Sequence, residues 1–314
     1  MSTSYLTHTI HSHHHHFGWD NSIKPIIYVK SGETIQVDTV DSSGSQLSEK
    51  STIDDVVNLD FSKVNPVTGP IYIEGAEKDD IIEIELIDFI SSGWGWTAII
   101  PGFGLLNEVF EKADLHLWKY DKNNLKTSLF SEYAKIPLNP FIGTIGLAIK
   151  EKGIHSIVPP RKSGGNIDIK NFTKGSKLFL PVEVKGGLLS MGDTHAAQGD
   201  GEVCGTAIES PMSVIVKINL IKNQNINFPH IETFSSNSKI NSKGSFIVTG
   251  IGPDLLECSK NAVKEMIELL SRKFNIPDTK AYMLCSVCAD LKISEIVDVP
   301  NYVVSCHLPK SIFD

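Results

Sequence analysis

The sequence contains no apolar run close to the roughly 18 residues that a membrane-spanning helix needs. Its first residues, Met1 to Ile10, also lack the basic segment followed by an apolar one that marks a secretory signal. No run of lysine and arginine is present, and the formal net charge is -8, which argues against a phosphate-rich partner. We therefore expect a cytoplasmic protein that binds neither a membrane nor nucleic acid.

Cysteine is scarce as well, with 5 residues in a chain of 314. An odd number scattered over this length does not make a disulfide framework and fits a reducing compartment. Cys285 and Cys288 form a lone C-x-x-C on a helix predicted from Asp278 to about Asp290, and we interpret them as core residues. Internal repeats, a P-loop and a dinucleotide-binding glycine pattern are all missing, so the sequence offers no nucleotide-binding motif.

What is present is typical of a globular protein, with 41% hydrophobic and 21% charged residues. Short β-branched runs, such as Ile26 to Val29 and Thr34 to Val40, are separated by turn residues and predict strands. Ile71 to Glu74 and Ile81 to Ile90 predict a hairpin, and one amphipathic helix begins after Asp254. The pattern therefore predicts a mainly β fold, a sandwich or barrel, with a smaller α/β part near the C-terminus.

The stretch from Ser190 to Glu209 differs from the rest of the chain. It carries Asp193, His195, Asp200, Glu202 and Cys204 among four glycines and few bulky side chains. A lone buried carboxylate or imidazole loses several kcal/mol of hydration unless it finds a partner or a metal. This concentration of costly groups indicates a functional site.

The spacing within this stretch suggests how the groups could meet. Asp193 and His195 are two residues apart, as are Asp200 and Glu202, and a period of two places side chains on one face of a strand. A turn over residues 196–199 would then bring the two pairs together. One nitrogen and up to three carboxylates would converge, which is a metal-ligand set or an acid/base pair beside a metal.

The segment Gly192 to Glu209 closely resembles the signature of the acetamidase/formamidase family. Other segments resemble the same family in the same order: Trp19 to Ser22, Thr39 to Gly44, Asn65 to Pro70, Glu74 to Glu77, Gly164 to Asp168, and Ala281 to Leu291. The resemblance covers nearly the whole chain. It implies one unit over residues 1–314, with two β-rich, jelly-roll-like or barrel-like lobes, approximately residues 1–160 and 161–314, and C-terminal helices. It also implies hydrolysis of formamide or acetamide to a carboxylate and ammonia.

The spacing and strand positions of individual residues suggest roles for them, and for the N-terminal histidine the resemblance does so. Metal ligands are expected at Asp41, Glu74, Asp193, His195 and one N-terminal histidine, His16 or alternatively His14. Zinc is the expected metal, with a second cation such as calcium as an addition, and metal-activated water is the expected nucleophile. Asp193 and His195 belong to the catalytic group with Glu202, which we predict to be the general base. Substrate contacts are expected from Asn166, Asp168, Gln198 and Asp200.

Several of these assignments stay open at the level of sequence. Asp200 is either a ligand or a turn residue, and Asn166 and Asp168 either orient the substrate or bind a second cation. The run of histidines before Phe17 is a purification tag, a solvated tail or a source of one ligand. The expected partner is a small neutral amide, and we expect a homodimer or a higher homo-oligomer.

Two other functions compete with metal-assisted amide hydrolysis. In one, Cys204 is a nucleophile assisted by Glu202 or His195. In the other, the cluster is a structural metal site in a protein without catalytic activity. Structural zinc sites are usually closed and often contain thiolates, whereas this stretch is rich in carboxylates, so we favour the enzyme.

Overall fold

The computed structural model describes residues 6–105, 107–108, 110–130, 134–202, 204–234, 243–278, 281 and 289–313. Strands account for 40% of the residues and helices for 12%, so the predicted mainly β class is confirmed. Among the described residues, no helix is both long enough and apolar enough to cross a membrane.

Nine strands form the larger sheet. In spatial order they are β1 (Leu6–Ile10), β4 (Thr34–Asp38), β15 (Met212–Ile221), β6 (Ile81–Ser91), β13 (Lys177–Pro181), β16 (His230–Glu232), β17 (Ser245–Gly252), β19 (Tyr302–Pro309) and β18 (Asp290–Glu295). The pairing is antiparallel except between β1 and β4.

Six strands form the second sheet. The order is β12 (Gly164–Asn166), β11 (Phe141–Leu147), β14 (Leu189–His195), β5 (Val67–Ile73) and β2 (His15–His16), and β3 (Ile27–Val29) also pairs with β5. Two small hairpins complete the strands: β7 (Trp94–Ile99) with β8 (Asp114–Lys119), and β9 (Thr127–Phe130) with β10 (Ala134–Pro137).

The two large sheets share one hydrophobic core. A single buried cluster contains Ile71 of β5 and Met191 of β14 together with Ile84 of β6 and Val216 of β15. Burial of such side chains contributes roughly 1.5–3 kcal/mol each relative to exposure, so this layer between the sheets is the main source of stability. Both sheets take strands from residues 1–160 and from residues 161–314, and the lobe boundary stays a prediction.

The hairpin predicted from residues 71–74 and 81–90 is wrong. Both strands exist, but β5 belongs to the smaller sheet and β6 to the larger one. The turn between them carries the chain from one sheet to the other. Alternating patterns predict that a strand exists, whereas they do not specify which strand lies beside it.

The helix α2 (Leu255–Phe274) begins where the sequence predicts, with Asp254 accepting a hydrogen bond from the Glu257 amide at 2.9 Å. It packs on β17 and β19 through Ala262, Met266 and Leu270. One short helix, α1 (Ile53–Val57), and two 3-10 turns, Phe61–Lys63 and Lys310–Phe313, complete the elements. Most of the second helix predicted from residue 278, including Cys285 and Cys288, lies outside the described residues.

Candidate active site

The candidate site is centred on the end of β14, which lies between β11 and β5 in the smaller sheet. His195 Nε2 is 2.9 Å from Asp193 Oδ1, so the two side chains lie together as the period of two predicts. Both residues are almost completely buried. The sheet therefore supplies an imidazole and a carboxylate at one fixed point inside the protein.

The chain returns beside β14 later than the sequence suggested. Ala196 donates its amide hydrogen to the carbonyl of Ile208 at 2.9 Å, and His195 pairs with Glu209 in an antiparallel bridge. The predicted turn over residues 196–199, with Asp200 and Glu202 on the second arm, is therefore wrong. Asp200 lies near the surface and forms an ion pair with Lys170 at 3.0 Å.

Glu209 lies beside His195, in the position that the predicted tight turn would have given to Asp200. Its Oε2 lies 3.1 Å from His195 Nε2. The same oxygen accepts a hydrogen bond from the Ser42 hydroxyl at 2.7 Å, and Oε1 accepts one from the Ala207 amide at 2.7 Å. Sequence reasoning assigned no role to Glu209, although it is the last residue of the stretch that suggested the site.

Three further carboxyl groups complete the cluster. Asp168 follows β12, Glu202 belongs to the connection after β14, and Asp298 follows β18. The ligand atoms of these three residues lie within 4.8 Å of one another, as do those of Asp168, Asp193 and His195, and those of His195, Glu202 and Glu209. All six residues are buried, and we call them the acidic cluster.

Asp168 is the least satisfied member of the acidic cluster. Its carboxyl group is completely buried, and neither oxygen has a hydrogen-bond partner among the described residues. The nearest positive group is His195, whose Nδ1 is 3.7 Å from Asp168 Oδ1. An unpartnered carboxyl in this position is costly unless it binds a proton or a cation.

Burial and mutual repulsion control the pKa values in the acidic cluster. Burial raises the pKa of Glu209 to about 7 despite the neighbouring His195. Burial, followed by the charge of Asp193, raises the pKa of Asp168 well above its usual range. For Glu202, burial acts first and Asp168 second, and the pKa is again raised strongly.

His195 and Asp193 stabilise each other's charge within this group. Burial lowers the pKa of His195, but Glu209 and Asp193 outweigh burial, and the pKa lies well above its ordinary value. The pKa of Asp193 is lowered, because His195 overcomes the opposing effect of burial. The imidazole is thus the positive centre around which the carboxylates gather.

Polar side chains around the acidic cluster hold it in place. Thr144 donates its hydroxyl hydrogen to Asp193 Oδ2 at 3.1 Å, and Asn166 donates from Nδ2 to Asp298 Oδ2 at 2.5 Å. Gln198 Nε2 donates to the backbone carbonyl of Asp168 at 2.9 Å, while its Oε1 hydrogen-bonds to His195 Nδ1 at 2.9 Å. Asn166 and Gln198 therefore position charged groups.

Gly143, on the neighbouring strand β11, makes room for the acidic cluster. A Cβ atom at this position would lie 2.5 Å from Asp168 Oδ1 and 2.8 Å from His195 Cε1. Both distances are shorter than side chains normally allow. The close approach of imidazole and carboxyl therefore requires glycine here.

Four of the predicted metal ligands do not join the acidic cluster: Glu74, His14, His16 and Asp41. Glu74 is exposed and directly follows the last residue of β5. The other end of β5 is the one near the site, because Val67 there pairs with Gly192, the neighbour of Asp193. Seven residues of strand separate these ends by roughly 23 Å. His14 is also exposed.

His16 and Asp41 lie closer, but other groups bind their side chains. His16 hydrogen-bonds through Nδ1 to the Gly18 carbonyl at 2.8 Å and through Nε2 to Ser190 Oγ at 2.9 Å. Asp41 Oδ1 accepts from the Ser43 amide at 3.0 Å and from Trp96 Nε1 at 3.1 Å. Asp41 thus fixes the loop that presents Ser42 to the site.

A cavity of about 240 Å³ opens onto the acidic cluster. Its polar side consists of Ser42, Ser43, Asn65, Asn166, Asp193, Glu202, Thr206, Glu209 and Asp298. Its other walls are apolar and consist of Leu59, Phe61, Val64, Trp96, Ile100, Phe103 and Val158. Such a cavity suits a small molecule with one polar and one apolar end.

Cys204 does not join this arrangement. Its thiol donates a hydrogen bond to the carbonyl of Thr206 at 3.3 Å, and it has no described contact with Glu202 or His195. Among the described residues, no acidic or basic group hydrogen-bonds to this thiol and could activate it.

The acidic cluster has the donor set of a divalent-cation site. Imidazole nitrogen together with carboxylate oxygen is a common set for zinc in enzymes, and carboxylate oxygens alone suit harder cations. The unpartnered oxygens of Asp168 point to the same conclusion, since a cation would supply the charge that they lack. The residues present therefore fit a metal.

Comparisons with known proteins agree with this description. The sequence profile of the acetamidase/formamidase family matches residues 5–155 and 148–314. The chain is 29% identical over 367 residues to a formamidase from Methylophilus methylotrophus, with 95% of this chain and 89% of the relative covered. It is 28% identical over 269 residues to an acetamidase from Mycolicibacterium smegmatis, with 66% of each chain covered.

A solved structure gives the same result at the level of the fold. The crystal structure of an acetamidase from Bacillus halodurans superposes with a TM-score of 0.87 and 30% identity, covering 97% of this chain and 98% of the other. Because the family profile spans essentially the whole sequence, the chain belongs to the acetamidase/formamidase family.

Proposed function

We propose that the protein hydrolyses the C–N bond of a short aliphatic amide, such as formamide or acetamide, to a carboxylate and ammonia. Membership of the family and the names of its relatives support this reaction. The observation that carries the proposal is the buried group of one imidazole and five carboxyls at the base of a small, mostly apolar cavity.

The proposed cofactor is a divalent cation. Asp193, His195 and either Asp168 or Glu209 would hold zinc, because imidazole and carboxylate ligands suit it. Asp168 and Asp298 would hold a second, harder cation such as calcium. When bound, such a cation supplies Lewis-acid chemistry, since it lowers the pKa of water and polarises an amide oxygen.

Glu202 is the residue that we assign to proton transfer. The amide nitrogen leaves readily only when it is protonated, so a group beside it must deliver a proton. Glu202 lines the cavity, and burial together with Asp168 raises the pKa of its carboxyl. A carboxyl with a raised pKa can take up the proton of the attacking water and pass it to the nitrogen.

The remaining walls select and orient the substrate. Asn65 and Asn166 line the polar side, where their amides can hydrogen-bond to a substrate amide, and Leu59, Phe61 and Val64 lie on the apolar side. A methyl group on the acyl carbon would contact the apolar wall. This division would place the scissile bond toward the carboxyls and the acyl group against the apolar wall.

The other candidate functions have less support. In the part of the chain that the structure describes, the Cys204 thiol hydrogen-bonds only to Thr206, which is neither an acid nor a base. A purely structural metal site would not need a cavity that opens onto its ligands, and structural zinc sites are usually closed. A cytoplasmic location and assembly into a homodimer or higher homo-oligomer stay predictions of the sequence.

The test is to measure metal content and ammonia release in one preparation, before and after dialysis against a chelator. We expect turnover of formamide or acetamide to fall with metal content and to return when zinc or another divalent ion is added. Full turnover by a preparation shown to be metal-free would contradict the metal proposal. Retention of metal without turnover of any amide would contradict the enzyme proposal.

A further inference from the structure

A second cavity, of about 630 Å³, shares no lining residue with the candidate active site. Its walls are mainly polar, and the titratable residues among them are Lys174, Asp290, Lys292 and His307. It lies beside β18 and β19, at the edge of the nine-stranded sheet. The proposed hydrolysis makes no use of it.

His307, on β19, lines this cavity. The residue is 6% exposed, and its Nε2 hydrogen-bonds to Ser305 Oγ at 2.7 Å. Ser305 in turn hydrogen-bonds to Ser294 Oγ at 2.6 Å. The other ring nitrogen, Nδ1, has no hydrogen-bond partner among the described residues.

The surroundings keep this imidazole neutral. Burial, followed by the charges of Lys292 and Lys170, lowers the pKa of His307 to about 3. A neutral imidazole carries one N–H. When the Ser305 hydroxyl donates to Nε2, that hydrogen is on Nδ1.

Lys292 differs from the other lysines near this cavity. Lys174 is paired with Asp88 at 2.8 Å, and Lys170 is paired with Asp200 at 3.0 Å. Lys292 is half-buried and lines the cavity, and no described carboxylate lies within ion-pair distance of it. A partly desolvated ammonium without a counter-ion favours an anionic ligand.

We propose that this cavity binds a small oxyanion, with the Lys292 ammonium and the His307 Nδ1–H as its donors. A short carboxylate and inorganic phosphate share the chemistry that these donors recognise. The proposal does not depend on amide hydrolysis, since none of its residues belongs to the acidic cluster. Its failure would leave the proposed function unchanged.

Calorimetric titration of the metal-loaded enzyme with sodium acetate, and separately with sodium phosphate, tests the proposal. Lys292→Met removes the charge and keeps the apolar stem. Lys217→Met is the matched control, because Lys217 is also a half-buried strand lysine without a described ion pair but lies on β15. A charge-assisted hydrogen bond contributes about 1.5–3 kcal/mol, so affinity should fall at least about tenfold in Lys292→Met.

The proposal is supported if acetate or phosphate binds more weakly to Lys292→Met and equally well to Lys217→Met. The anion whose binding is weakened identifies the ligand class. Equal affinity in all three proteins would show that the anion binds elsewhere and would overturn it. Nitrogen NMR of the His307 ring in the wild-type protein is a second measurement, and it does not depend on whether a variant folds. We expect its Nδ1 signal to shift on titration, and an unchanged signal at saturating anion would also overturn the proposal.

Discussion

The Ser42 hydroxyl donates a hydrogen bond to Glu209 Oε2 at 2.7 Å, and the same oxygen lies 3.1 Å from His195 Nε2. Ser42, in the loop after β4, therefore helps to hold the Glu209 carboxylate. Glu209 lies beside His195 because the chain returns next to the end of β14. Residues more than 160 positions apart in the sequence are joined by this contact.

Ser42→Ala should weaken metal binding and turnover by about 10–100-fold, since outer-shell hydrogen bonds to ligands have effects of this size. Metal titration and acetamide hydrolysis measure both quantities. Ser62→Ala is the control, because the Ser62 hydroxyl also donates to a carboxylate, Asp60 Oδ1 at 2.6 Å, but at the surface. A loss of the same size in both variants would contradict the role of Ser42.

Gly143→Ala should impair the site without altering the rest of the sheet. The added Cβ would lie 2.5 Å from Asp168 Oδ1 and 2.8 Å from His195 Cε1, and overpacking of this kind costs about 1–3 kcal/mol. Thermal unfolding and metal content are the measurements. Gly199→Ala is the control, because a Cβ there meets nothing within 4 Å, and normal metal content in Gly143→Ala would contradict the predicted crowding.

The metal-free protein should lose stability as the pH rises. The pKa of Glu209 and that of Glu295 are raised from 4.5 to about 7, mainly by burial. At pH values between 4.5 and about 7, these carboxyls are protonated in the folded state and ionised in the unfolded chain. The free energy of unfolding therefore decreases as the pH rises through this range. Each carboxyl contributes up to about 3 kcal/mol to the decrease, since one pKa unit corresponds to about 1.4 kcal/mol.

Bound cations should reverse this dependence, because metal binding requires ionised carboxylates and strengthens as they lose protons. We expect the rise in melting temperature on adding zinc to be larger at about pH 7.5 than at about pH 5. Thermal unfolding with and without zinc at the two pH values measures it. An equal rise at both would indicate that zinc binds outside the acidic cluster.

The apolar wall predicts a dependence on the acyl group. Burial of one methyl group contributes about 0.8 kcal/mol, so the KM of acetamide should be about fourfold lower than that of formamide. Propionamide should react slowly, and benzamide or a dipeptide more slowly still. Val64→Ala should raise the KM of acetamide, whereas Val57→Ala, at an exposed position, should not. Faster turnover of benzamide than of acetamide would contradict a small substrate.

Sequence patterns predicted the part of the site that is local. Asp193 and His195 lie on one strand, and a period of two is enough to bring their side chains together. Helix α2 begins at its predicted cap for the same reason, because capping involves neighbouring residues. In such cases the interacting groups are separated by only a few positions.

The remainder of the site depends on contacts between distant segments. The length of the connection after His195 decided that Glu209, and not Asp200, lies beside the imidazole. Asp298 lies in a loop near the C-terminus. The sequence marks it only as the one acidic residue among the apolar residues 296–299. Glu74 was predicted as a ligand because it ends a short apolar strand beside Gly75 and Ala76, yet this end of β5 lies far from the site.

The central claim is that the acidic cluster performs amide hydrolysis with Glu202 as the group that transfers the proton. Its most direct test is Glu202→Gln, with metal content and acetamide turnover measured in the same samples. Asp200→Asn is the matched control, since Asp200 lies near the surface and is paired with Lys170. We predict a rate lower by about 10²–10⁴-fold for Glu202→Gln with its metal retained, and a nearly normal rate for Asp200→Asn. Loss of the metal would make Glu202 a ligand, and a normal rate with the metal retained would contradict the account.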